Sequence, residues 1–156
     1  MLRILLLVLG VALAAGARAA TEIEIWHALR GVPAAEFDAL LRRFHAAQDE
    51  VRVKAVYQGG YDQTYSRALA AHFERKGPHL VQVVEAGNAS LLAWRGAVKP
   101  AWEVLAEGGV KVNTADLVPA VASYYSDGSG RLLAMPFNAA TPILYHNKEA
   151  FRRTGL

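Results

Sequence analysis

The side chains best placed to do chemistry are a carboxylate at the end of an apolar run, a tyrosine behind two glycines, and a tryptophan and histidine closing an alternating stretch. Glu85 follows Leu80–Val84 and precedes Gly87 and the helix-capping Asn88, the composition of a buried parallel strand running into a helix. In open α/β sheets the carboxyl ends of the strands form the crevice where ligands bind. Glu85 therefore reads either as a ligand residue or as a solvated loop acid. Tyr61 follows Gly59-Gly60, and Trp26-His27 ends the run EIEIWH. Such a set suits recognition of a small polyol. A carboxylate accepts hydrogen bonds from vicinal hydroxyls, a tyrosine offers a ring face and a phenol, and Trp26 an apolar wall. The competing readings are a turn aromatic for Tyr61 and core packing for Trp26.

Other chemistries find little support. The glycine pairs Gly59-Gly60 and Gly128-x-Gly130 match neither a P-loop nor a dinucleotide fingerprint. No His-Glu-x-x-His or Gly-x-Ser-x-Gly occurs, and the scattered histidines read as surface or packing residues. A glycosidase would need a second carboxylate facing Glu85, and the nearest candidate, Asp62, is better explained as a helix-dipole partner. We therefore expect no catalytic residue, no metal and no cofactor. A carboxylate-using hydrolase is the alternative from another class. The chain has no cysteine, which excludes disulfides, a thiol nucleophile and thiolate metal sites.

Three strand-helix units would position these residues. Glu22–Trp26 alternates as a strand, and Phe37, Leu40, Leu41 and Phe44 then recur at helical spacing behind Pro33. Val51–Tyr57 reads as a second strand. A helix follows from about Asp62, with Tyr65, Leu69, His72 and Phe73 on one face, stopping at Gly77-Pro78. Leu80–Val84 is the third strand and leads into a short helix around Leu91–Trp94. Repeated units of this kind predict an α/β fold with a mainly parallel sheet flanked by helices, and bring all three strand-to-helix junctions to one edge. Further on, helical turns are expected at Trp102–Ala106 and Asp116–Tyr125, and a turn at Asp127–Gly130. Strands are expected at Arg131–Phe137 and Pro142–His146, and a helix from Lys148.

Residues 1–19 read as an export leader: Arg3, an apolar Ile4–Ala15, and a small-x-small Ala17-Arg18-Ala19. Of seventeen basic residues, two lie in that segment, leaving fifteen against fourteen acids, a balance of +1. Since Lys and Arg are also scattered, no nucleic-acid partner is expected. Lacking a cysteine for a lipid tether as well, the exported chain reads as a freely soluble periplasmic protein.

The runs GGYDQTY at Gly59–Tyr65, VQVVEAG at Val81–Gly87, SYYSD at Ser123–Asp127 and MPFNAATPILYHNKEAF at Met135–Phe151, with the early IWHALRG, carry a resemblance. The chain resembles the amino-terminal lobe of the periplasmic sn-glycerol-3-phosphate-binding proteins of ABC importers, within extracellular solute-binding protein family 1. The resemblance implies a non-enzymatic, two-lobed protein that closes over its ligand. Residues 20–156 would form an incomplete first lobe, with the second lobe absent. It implies a polyol phosphate ligand, sn-glycerol 3-phosphate or a glycerophosphodiester, with an oligosaccharide-binding relative as the alternative. It also implies an inner-membrane permease and its ATPase subunits as partners, and a monomer. Tyr61 and Glu85 match the family's lobe-one ligand contacts. The third contact is a serine in the family and Ala140 here, with Trp26, His27 and Asn138 as possible pocket wall. The phosphate partners lie in the second lobe.

Overall fold

The computed structural model describes residues 19–84, 96–140 and 143–155. The chain divides into two compact units, Met1–Leu91 and Leu92–Leu156. All but the last residue of the leader read at residues 1–19, and the helix expected near Leu91–Trp94, lie outside the described residues.

In the first unit, β1 (Thr21–His27), α1 (Val32–Ala47), β2 (Val51–Tyr57), α2 (Tyr61–Phe73) and β3 (Leu80–Val81) follow in that order. Both pairings are parallel and the strand order is β2-β1-β3. This is the expected α/β architecture. Right-handed crossovers in such an order carry α1 and α2 to opposite faces of the sheet. Alternation along β1 puts His27 on one face, where its ring meets Phe37 of α1 edge-on at 5.4 Å. Glu24 and Trp26 share the other face.

The helices bury stripes other than the expected ones. On α1 Phe37 is buried, but Leu40 and Phe44 are exposed. Leu41, expected on that stripe, is half-buried, and so are His45 and Gln48, because these two serve the outer edge of β2. His45 Nε2 accepts the Val53 amide at 2.9 Å, and Gln48 exchanges two bonds with the backbone of Val51. On α2 the buried residues are the small Thr64 and Ala68, whereas Phe73 is 66% exposed. A helix that approaches a sheet closely buries small side chains, not the largest apolar ones.

The third strand is shorter than expected, at two residues, and Leu80 is exposed. Among the described residues nothing pairs with its far side, so it lacks the two neighbours that a buried parallel strand requires.

The second unit holds α3 (Ala101–Glu107), a 3-10 turn (Thr114–Asp116), α4 (Pro119–Tyr124) and α5 (Lys148–Arg153). Among the described residues of this unit, Tyr125 and Leu132 are the buried apolar ones. The Arg131 guanidinium lies 4.4 Å over the Trp102 ring and pairs with Asp127. Asp127 forms the expected turn, its carboxylate accepting the amides of Ser129 and Arg131 at 2.9 Å. Neither strand expected here forms. The described parts of 131–137 and 142–146 hold one isolated antiparallel bridge, Ser126 with Leu132. Leu144 and Tyr145 are each 87% exposed. A strand needs a neighbour for its amides, and the described residues of this unit offer none to the later segment.

Candidate functional site

Register aligns the strand ends: His27 stands beside Tyr57, and Trp26 beside Val81. Two of the three expected junctions are thereby seen on one carboxyl edge, where the chain crosses from β1 to β2 and then reverses direction to reach β3 on the other side of β1. The third junction, with Glu85, lies outside the described residues.

Hydrogen bonds extend the sheet one residue past each strand. Gln58 donates its amide to the His27 carbonyl at 3.0 Å, and Gln82 donates to the Trp26 carbonyl at 2.8 Å. The Gln82 side chain then turns back, its Oε1 accepting the Ala28 amide at 3.0 Å. The loop leaving β1 is thus tied to the tail of β3.

Tyr61 is the first residue of α2 and is half-buried. It enters the helix behind Gly59, whose φ of 101° is a conformation that glycine adopts readily and other residues do not. Gly60 cannot cap the helix with a side chain, so Gln63 Oε1 accepts its amide at 2.9 Å, half of a capping box. Arg67 Nη1 donates to the Gln58 carbonyl at 3.0 Å and to Gln58 Oε1 at 3.1 Å.

Trp26 is half-buried and its indole N–H donates to Glu24 Oε1 at 2.5 Å, while Lys54 Nζ donates to Glu24 Oε2 at 3.1 Å. The indole bond first, and then Lys54, hold the Glu24 carboxyl below its ordinary range. His27 is buried against Phe37 and Tyr57, and among the described residues its Nδ1 has no hydrogen-bond partner. Burial pushes its pKa down, against a smaller upward pull from Asp38. Asn138 and Ala140 lie in irregular, exposed chain of the second unit.

Gln58, Gln63, Arg67 and Gln82 escaped the sequence reading. Gln63 had a legible signal, being three residues after the helix-capping position, and Gln82 interrupts an otherwise apolar run. Among the described residues no cluster of three or more metal-ligating side chains occurs, and no helix is long and apolar enough to cross a membrane.

The first unit is thus an open, parallel α/β sheet of order β2-β1-β3. The backbone of the chain superposes on the cyclic α-maltosyl-1,6-maltose binding protein of Arthrobacter globiformis with a TM-score of 0.59. That match covers 72% of this chain and 27% of the other, at 20% identity, and speaks to the fold. No family model matches the chain. In sequence it is 41% identical over 151 residues to the sn-glycerol-3-phosphate-binding periplasmic protein UgpB of Escherichia coli O1:K1 / APEC. The same protein of Escherichia coli strain K12 and of Shigella flexneri serotype 5b (strain 8401) is 40% identical over 151 residues. Each match covers 96% of this chain and 34% of the relative. The chain is similar to these periplasmic binding proteins over almost all of its own length, in line with the resemblance its motifs carry, and spans about a third of theirs. Their names describe binding proteins, not enzymes.

Proposed function

We propose that this chain carries part of the solute-binding component of an ABC importer. In this reading it captures sn-glycerol 3-phosphate or a glycerophosphodiester in the periplasm and delivers it, unconverted, to an inner-membrane permease and its ATPase subunits. Residues 1–19 act as the export leader, and residues 20–156 belong to the amino-terminal lobe. Tyr61 and Glu85 hold the glyceryl hydroxyls. The observation that carries the reading is the 41% identity over 151 residues with a glycerol-3-phosphate-binding relative. The location of Tyr61 supports it, since the sheet edge where it enters α2 is the ligand edge of such folds.

An NMR titration of the chain tests the proposal, with sn-glycerol 3-phosphate, glycerophosphocholine and maltose as separate probes. The expected result is weak saturable binding of the two glyceryl phosphates, with shifts at Gly59, Gly60 and Tyr61 that Tyr61→Phe reduces. Glu85→Gln should weaken the same binding, and no product should form. Shifts with maltose alone, or no shifts at this edge, would overturn the reading.

A further inference from the structure

We infer that Gln63 and Arg67 are positioning residues for Tyr61: they fix the Gln58-Gly59-Gly60 turn and so aim the tyrosine at the sheet edge. The inference rests on the reading of Tyr61 as a ligand contact and adds the two side chains that set its direction. Residues four apart on a helix share a face, and side chains on a helix lean toward its amino terminus. From that face Gln63 reaches back one turn to the Gly60 amide, at 2.9 Å. Arg67 reaches further, to the carbonyl and side chain of Gln58, at 3.0 and 3.1 Å.

Gln58 is itself pinned to the sheet through the His27 carbonyl. The turn is therefore held at its start by β1 and Arg67, and at its end by Gln63. Between them Gly59 lies directly against the Gln63 side chain, since a Cβ there would fall 2.0 Å from Gln63 Oε1. The next Cα is that of Tyr61, so the direction of its side chain follows from this backbone.

The bonds from Gln63 and Arg67 are exposed to water. Exposed bonds of this kind add little to global stability. Their effect is local, on a turn that would otherwise sample several conformations.

The ligand-free chain gives the primary test. Gln63→Ala and Arg67→Met should each speed hydrogen exchange at Gly60 roughly three- to tenfold. They should also spread the Tyr61 χ1 couplings over several rotamers while leaving the thermal midpoint nearly unchanged. Gln63→Glu retains the acceptor and should restore both readouts. Unchanged Tyr61 couplings in the double variant would overturn the inference, as would loosening that only tracks a fall in the midpoint. A ligand arm separates the two levels of argument. If Tyr61→Phe leaves the affinity for sn-glycerol 3-phosphate unchanged, the site reading fails. If Tyr61→Phe weakens binding and Gln63→Ala does not, the positioning inference fails.

Discussion

The Ala28 amide donates to the Gln82 side-chain carbonyl at 3.0 Å, tying the loop after β1 to the tail of β3. The Gln82 backbone also donates to Trp26, so one residue closes the carboxyl edge on both sides of His27. Gln82→Leu keeps the bulk of the side chain but leaves the part-buried Ala28 amide without its acceptor. The expected cost is about 1–2 kcal/mol, read as a fall in the urea midpoint. Hydrogen exchange at Ala28 should accelerate beyond the global change.

Gly59 combines a positive φ with a close approach to the Gln63 side chain, which would have to move to admit a Cβ. Gly59→Ala should lose roughly 1–3 kcal/mol from the backbone conformation alone, and displace Gln63 from the Gly60 amide. Gly60 has open space where a Cβ would stand and an extended φ of -67°. Gly60→Ala is therefore expected to be nearly neutral. Thermal unfolding of the two variants in parallel checks the contrast, and equal losses would refute it.

The two long strands were legible because alternation and β-branched residues mark them directly. The sequence reading placed Glu22–Trp26 and Val51–Tyr57, and the strands are Thr21–His27 and Val51–Tyr57. The helix faces were less legible, since a pattern read from large apolar residues looks for Leu40 and Phe73 whereas the contacts are made by His45, Gln48, Thr64 and Ala68. A side chain that pairs with a strand edge leaves no trace in hydrophobic periodicity. The expected strands of the second unit failed for a related reason. Composition such as that of Ile143–Tyr145 favours an extended chain but cannot supply the neighbour that makes it a strand. At the edge, the glycine pair and Tyr61 are legible in the sequence; Gln63 leaves a signal in its spacing from the helix cap, whereas the bonds of Gln58 and Arg67 depend on a turn geometry that the sequence does not show.

Gln48 shows what such pairing contributes. Its Oε1 accepts the Val51 amide at 2.7 Å and its Nε2 donates to the Val51 carbonyl at 2.8 Å, so the side chain stands in for a neighbouring strand on the outer side of β2. An uncovered edge invites pairing with another chain. Gln48→Ala should cost about 1–2 kcal/mol and increase concentration-dependent association. Gln48→Glu, which keeps the acceptor and loses the donor, should fall between the two. Denaturation midpoints and sedimentation at several protein concentrations check the order.

His27 makes stability depend on pH in a defined direction. Burial among Phe37 and Tyr57 disfavours its charged form, and the opposing pull of Asp38 is smaller, so the folded-state pKa lies below the ordinary value of about 6.5. Below that ordinary value the unfolded chain takes up a proton that the fold resists. The contribution of His27 is accordingly complete above about pH 6.5 and is lost as the pH falls through the folded value. Thermal midpoints should therefore drop between about pH 7.5 and pH 5.5. Carboxylates also titrate toward the acid end, so the informative quantity is the difference from His27→Phe, which keeps a ring in the packing and removes the proton site. The variant should show a shallower drop over the same interval. Parallel drops in the two proteins would show that the buried imidazole is not the group responsible.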